Sequence, residues 1–249
     1  MSALSAVMYR EGKIRATNAL FIFWDVVYPL GYLLVFGVGM NEALGFSGLT
    51  TDYHAFFLAG VLGMAGFGIA SNTAWSFFMD RDNGIFYEML TYPMSRAQYL
   101  FGKVLFNVGV AVLQAVVTVG VAELLLGVPL RWDGAPLFVL AVAGGTAGWF
   151  FFYATFALLI RRNDAFNTVT SIFYFVFLFA SSMFYPVEPL PTWLRIAALA
   201  NPITWHVDVL RYATVGLGDP ATIAIEAVAF VVFSAAFFAL AIRFLGRQG

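Results

Sequence analysis

The sequence predicts an all-α membrane protein with six transmembrane helices, and three observations predict it. The first is composition: of 249 residues 61% are hydrophobic and 11% charged, with mean hydropathy +0.85, whereas a soluble domain is roughly half apolar and about a quarter charged. There are too few polar side chains to cover a water-facing surface, so lipid is the solvent for most of the chain. The second is six long apolar runs, near 19–40, 53–79, 98–127, 136–160, 166–186 and 221–245; a bilayer core of about 30 Å takes ~20 such residues per helix. The third is the placement of basic residues. If residue 1 lies in the cytoplasm and each run crosses once, Arg10, Lys13, Arg15, Arg81, Arg96, Lys103, Arg161, Arg162, Arg243 and Arg247 fall inside and Arg131, Arg195 and Arg211 outside, ten against three. That bias puts both termini in the cytoplasm. The expectation is one transmembrane domain over 1–249, multi-pass in a plasma (inner) membrane.

Residues 1–18 lack the basic start, apolar middle and small-residue cleavage site of a signal peptide. Leu4, Val7, Met8 and Ile14 alternate with Arg10, Glu11, Lys13 and Arg15, which suits either a helix lying in the membrane interface or a frayed terminus. In the first run Asp25 sits near the start, and in the sixth Glu226 does. The third run is long enough to tilt or project. Its Glu123 lies about 30 Å beyond Lys103 at 1.5 Å per residue, close to the outer interface. Ionisable groups thus hug the ends of the runs, which argues against an ion-coupled secondary carrier needing carboxylates near the midplane. The third run also carries Lys103, Asn107, Gln114 and Thr118 on one helical face. Two readings fit that row: hydrogen bonding between helices of a bundle, or the wall of a translocation path. In the fourth run "GGTAG" sets Gly144 and Gly148 at small-xxx-small spacing for close helix packing. The rings of "WFFFYATF" (149–156) and "FYFVFLF" (173–179) suit lipid or core, or a flat apolar lining for an amphiphile.

Residues 187–220 are too long for a connector and read as an outer re-entrant segment. Pro186, Pro189 and Pro191 break the fifth run; "TWLRIAALA" ends at Asn201, because the residue before Pro202 avoids helical geometry. Pro202 opens the next piece from its first position with Asn201 as cap, and "ITWHVDVLRYATVG" runs on to Gly216. Neither piece can span, so the two suit half-helices dipping into the outer leaflet or an amphipathic loop on its surface. Without cysteine, and with His54 and His206 the two histidines, disulfides and thiolate sites are excluded, and nothing converges as a metal site or acid–base pair. A net charge of −1 with scattered basic residues argues against a nucleic-acid partner.

The remaining interruption is "RDNGIFYEMLTYPMSR", residues 81–96, within a cytoplasmic segment spanning 80–97. Asp82 or Asn83 can cap a helix beginning near Gly84, and Ile85 to Tyr92 supplies about two turns before Pro93 stops it. Ile85, Met89 and Tyr92 then share a face with Glu88 among them, with Phe86 and Leu90 beside it. Such a helix either rests on lipid headgroups or acts as a stiff peg between the second and third spans, fitted to a groove on a soluble partner.

"RDNGIFYEMLTYPMSRAQYLFGKVL" resembles the cytoplasmic segment of the ABC type-2 permeases, where an arginine, a glycine, a short helix, "P-x-S-R" and "GK" follow in this order. "NPITWHVDVLR" is similar to that family's segment before the last span, through Asn201, Pro202, Thr204, Asp208 and Arg211. The resemblance implies an exporter of an amphiphile (a drug, a lipid or a lipid-linked glycan) working as a homodimer over two ATP-hydrolysing subunits. It implies that Arg81, Asp82, Gly84, Ile85, Phe86, Glu88, Met89, Tyr92, Pro93 and Arg96 form the docking segment for that ATPase, braced by the N-terminal helix. The chain has no G-x-x-x-x-G-K-[ST] loop to cradle phosphates, so it is expected to be a permease subunit that binds no cofactor, with ATP and Mg2+ on the partner. A scaffold without transport activity is the other reading.

Overall fold

The computed structural model describes residues 2–45 and 52–247, and among these every regular element is helical. Met1, residues 46–51 and 248–249, all counted in the single expected domain, lie outside the described residues. In chain order the helices are α1 (Ala3–Thr17), α2 (Ala19–Ile22), a π-helical turn (Phe23–Val27), α3 (Tyr28–Gly45), α4 (Tyr53–Asp82), α5 (Ile85–Met89) and α6 (Arg96–Leu126). After a 3₁₀ turn at Trp132–Gly134 come α7 (Ala135–Leu159), α8 (Asn163–Phe179), α9 (Thr192–Leu199), α10 (Pro202–Val215) and α11 (Pro220–Leu245). Five stretches are long and apolar enough to cross a membrane: Phe23–Ala43, Tyr53–Asp82, Arg96–Leu126, Trp132–Leu159 and Pro220–Leu245.

α4 is the axis of the bundle. It packs against α3, α6, α7 and α10, while α7 packs in turn on α6, α10 and α11. A helix apolar all round belongs inside, and α4 is buried over most of its length. The outward faces of α3, α6 and α11 carry aliphatic side chains such as Val35, Leu113, Leu124 and Ile225, each at least two-thirds exposed, as lipid requires. Two buried hydroxyls inside the spans are satisfied within their own helices: Thr73 donates to the Ile69 carbonyl at 2.6 Å and Thr155 to that of Phe151 at 2.8 Å. In hydrocarbon an unsatisfied group would cost several kcal/mol.

The fifth apolar run departs from expectation. Its helix is 17 residues, ~25 Å long, and ends at Phe179 rather than at the prolines. Side chains capture the carbonyls that a longer helix would have used. Ser181 Oγ donates to Leu178 O at 2.7 Å, and Asn201 Nδ2 donates to Phe177 O and Ala180 O at 2.9 and 2.6 Å. The two pieces of 187–220 also differ from one another. α10 is driven into the bundle, with Ile203, Thr204, Val207 and Leu210 fully buried, whereas α9 turns Trp193 and Ile196 outward.

Close approaches of helices explain where glycine is needed. In "GGTAG" a Cβ on Gly145 would stand 2.0 Å from the His206 ring and one on Gly148 2.2 Å from Ser234 Oγ, while Gly144 faces open space; the tight seam runs through Gly145 and Gly148. On α4, a Cβ on Gly60 would lie 2.3 Å from the Met183 carbonyl oxygen, and one on Gly68 would meet nothing within 4 Å. Gly60→Ala is therefore expected to lower stability by about 1–3 kcal/mol through overpacking, and Gly68→Ala to leave it unchanged or raise it by up to ~1 kcal/mol through helix propensity. Thermal unfolding in detergent reads the difference; the reverse order would mean that α4 does not abut the turn after α8.

Candidate functional site

The segment 80–97 is a short helix bolted into the bundle at both ends. α5 begins at Gly84, whose φ of 78° is left-handed and favours glycine; no side chain caps it, and Asp82 belongs to α4 instead of serving as the expected cap. The α-helix proper is five residues, and the second expected turn is completed by i+3 bonds, from Thr91 N to Glu88 O at 3.0 Å and Tyr92 N to Met89 O at 3.3 Å. Pro93 follows, without a donor to continue. Ser95 and Gln98 form a reciprocal capping box that starts α6.

Phe86 is the anchor. It is fully buried, edge-on to Phe77 at 5.6 Å and to Tyr99 at 5.3 Å. Ile85 and Met89 are partly buried, while Tyr87, Glu88 and Tyr92 face outward. The two flanking arginines hold other helices. Arg81 Nη2 donates to the carbonyl of Ile160, the last residue of the α7 turn, at 2.6 Å, and Arg96 Nη1 donates to Gly246 O, past α11, at 3.3 Å. Cations at helix C-termini satisfy orphan carbonyls and the dipole together. Displacing α5 thus pulls on α4 and α6 through the chain and on α7 and α11 through these bonds.

Immediately inside this segment lies a buried ion cluster that the sequence reading did not assemble. Lys103 has no exposure, and its Nζ donates to Asp80 Oδ2 at 2.7 Å, Glu11 Oε1 at 2.6 Å and Ser76 Oγ at 3.0 Å. Arg10 Nη2 donates to Asp80 Oδ1 at 2.6 Å and Nη1 pairs with Glu11 at 3.3 Å, and Tyr99 OH donates to Asp80. Burial works against the Arg10 charge, yet the hydrogen bond and charge of Asp80 raise its pKa above the ordinary value. Two cations and two carboxylates balance, which is the condition for burying charge. A second pair, Arg15 with Asp25 in the π-helical turn, lies next to it, and Arg15 also donates to Asn107. α1 is accordingly a clasp: Val7 packs so close to α6 that a Cβ on Gly102 would stand 2.7 Å from it, and Arg10 and Glu11 turn inward. The signal available in the sequence was Lys103 itself, a cation seven residues past Arg96 in an apolar run, which demands a carboxylate from elsewhere.

At the other end of α4, 30 residues and so ~45 Å away, the motif "NPITWHVDVLR" holds the break after α8. Asn201 caps α10, accepting from Ile203 N at 3.0 Å, and Pro202 takes the first helical position. Thr204 Oγ1 accepts from Ser182 N at 3.1 Å, and Asp208 accepts from Ser182 Oγ at 2.8 Å and from Arg211. Arg211 donates to Ser182 O at 2.8 Å and stacks over Phe56 at 3.9 Å. Asn201, Thr204, Asp208 and Arg211 converge on the end of α8 and the turn after it, and Arg211 reaches the start of α4 as well.

Asn107, Gln114 and Thr118 are buried: Asn107 Nδ2 donates to Lys103 O at 2.7 Å and Gln114 Nε2 to Thr118 Oγ1 at 2.8 Å. A cavity of about 300 Å³ opens elsewhere, between α3, α4 and α8, walled by Trp24, Tyr28 and Tyr174 with Ser71 and Asn72. The rings of "WFFFYATF" are mainly core, with Trp149 and Tyr153 fully buried, whereas Phe175 and Phe179 of "FYFVFLF" are exposed.

This is a multi-pass helical membrane protein whose ordered segment 80–97 joins two of its spans. Residues 2–215 match the model of the ABC-2 type transporter family, and the chain belongs to that family of transport permeases. It is 25% identical over 190 residues to the transport permease ycf38 of Porphyra purpurea and 27% over 199 residues to that of Cyanophora paradoxa, covering 75% of this chain. It is 28% identical over 203 residues, 78% of the chain, to the daunorubicin resistance ABC transporter permease protein DrrB1 of Streptomyces coeruleorubidus. The chain spans 65% of the length of the ycf38 proteins and 69% of DrrB1.

The ion cluster generates a stability test. Lys103→Met leaves Arg10 alone against the two buried carboxylates of Glu11 and Asp80, and removing one partner of a buried pair costs about 3–5 kcal/mol. The double variant Asp80→Asn/Lys103→Met is expected to lose well under the sum of the two single losses. Additive losses, within ~0.5 kcal/mol by thermal unfolding of the purified chain, would mean that the two side chains do not meet.

Proposed function

We propose that this chain is the transmembrane subunit of an ABC exporter, carrying an amphiphilic substrate out of the cytoplasm with ATP hydrolysed by a separate subunit. The working assembly is a homodimer of this chain above two ATPase copies, which hold ATP and Mg2+. In this reading there are six crossings, the fifth made by α8 and the turn that completes it, with both termini and segment 80–97 in the cytoplasm of a plasma (inner) membrane. The observation that carries it is α5, in a chain of the ABC-2 family: Tyr87, Glu88 and Tyr92 face outward while Phe86, Arg81 and Arg96 root it in four long helices.

A load applied by the ATPase to that outward face reaches the bundle without slack, because interiors are close-packed and transmit strain. The ion cluster makes α1, α4 and α6 respond together. The aromatic and amide-lined cavity between α3, α4 and α8 supports a path for an amphiphile, with rings for its apolar part and Ser71 and Asn72 for its polar part. The drug-resistance name of DrrB1 supports a drug as that substrate, and a lipid or lipid-linked glycan fits the same chemistry. The burial of Asn107, Gln114 and Thr118 supports bundle packing as their part in this assembly.

Tyr87→Ala combined with Glu88→Arg changes two exposed side chains of α5, so the subunit is expected to fold normally and reach the membrane. Co-purification of the ATPase and substrate-stimulated ATP hydrolysis in proteoliposomes should each fall at least tenfold, equivalent to ~1.4 kcal/mol. Undiminished association and hydrolysis would remove α5 from the docking surface. Phe86→Ala is a different experiment: it empties a core site and is expected to cost about 3–5 kcal/mol of stability.

A further inference from the structure

The end of the bundle that carries α5 also holds a cavity of about 700 Å³ which the transport reading does not use. Three guanidinium groups reach it from separate parts of the chain: Arg81 at the end of α4, Arg161 between α7 and α8, and Arg247 beyond α11. Among the described residues lining it, Asp82 is the one carboxylate, so the cavity holds an excess of positive charge. Arg81 and Arg161 are near enough to repel one another, and Arg81, nine-tenths buried, is met by a carbonyl dipole at Ile160 and by the Phe78 ring at 5.2 Å. Cations gathered in this way are stabilised by an anion with several acceptor oxygens, and guanidinium matches phosphate in both charge and fork geometry.

The remaining walls identify the anion's carrier. Leu159 and Phe244 line the same cavity and close the membrane-crossing helices α7 and α11, so it opens where headgroups give way to acyl chains. Leu159 is half exposed on that side. We propose that this cavity is a binding site for an anionic phospholipid, its phosphate held by Arg81, Arg161 and Arg247 and its acyl chains lying along Leu159 and Phe244. Basic pockets between membrane helices are suited to such headgroups, and an acidic protein segment would have no use for the apolar wall. Tyr87, on the outward face of α5, lines the cavity too. A bound headgroup therefore touches the docking segment, and the lipid sets how that segment stands.

The test uses the full purified chain in phosphatidylcholine nanodiscs, with and without phosphatidylglycerol, and reads retained lipid by native mass spectrometry after detergent extraction. Arg161 and Arg247 are exposed, so Arg161→Ala/Arg247→Ala is expected to keep the gel-filtration and circular-dichroism profile of the parent. Phosphatidylglycerol binding should fall on the order of thirty-fold, with phosphatidylcholine retention unchanged, and Arg161→Lys/Arg247→Lys should restore most of it. Equal retention of the two lipids by the parent, or unchanged phosphatidylglycerol binding by the double alanine variant, overturns the proposal. So does displacement of the lipid by glycerol 3-phosphate at comparable concentration, which would make the ligand a soluble anion. Loss of ATPase association with lipid binding intact would identify the cavity as a protein contact and overturn it equally.

Discussion

Lys103 is a cation with no exposure in a helix that must cross lipid, and much of the architecture at that end of the molecule follows from satisfying it. An isolated charge in a low-dielectric interior is prohibitively costly, so α6 can take its place only if carboxylates arrive from elsewhere. Asp80 comes from the last turn of α4 and Glu11 from α1. This one requirement ties the N-terminal helix to the bundle, sets the register of α6 against α4, and thereby fixes the separation that α5 has to bridge.

The consequence for function lies in stiffness. α5 is too short to hold its own shape by helix formation alone, since isolated helices of that length are marginal. It is held by Phe86 in an aromatic pocket and by arginines that close α7 and α11. A force on its exposed side is passed to rigid elements instead of being absorbed by a loop. At the far end Asn201 and Arg211 do the corresponding work, taking the Ala180 and Ser182 carbonyls where α8 stops early, with Asp208 holding Arg211 in place. Between the two ends α4 is a continuous, almost wholly enclosed rod, suited to conveying a displacement from one to the other.

Charge has two different uses at the α5 end. Within the ion cluster, cations and carboxylates balance and the result is mechanical. In the cavity of Arg81, Arg161 and Arg247 they do not balance, and the result is affinity for something outside the chain. Tyr87 and Arg81 border both α5 and that cavity, so in the assembly proposed above lipid and a soluble partner would act on the same short helix.

Most of this plan was legible in the residues, because hydropathy over a span is a local property: apolar length, helix breakers and basic flanks located the long helices, the α5 segment and the α10 cap without any contact being known. The motif arginines and Asn201 were likewise visible, as residue types out of place beside apolar runs. What only folding decided is who meets whom. Nothing local distinguishes Glu11 or Asp80 from any other carboxylate near a helix end, and the inward turn of the charged face of α1 reverses what an interfacial helix would do. The early end of α8 depends on Asn201, which lies more than twenty residues further along the chain, and the gathering of three arginines around one cavity depends on three helix ends lying side by side. Pairings of that kind are set by close packing of distant segments and by the cost of unpaired charge in lipid, neither of which can be read from one stretch of chain.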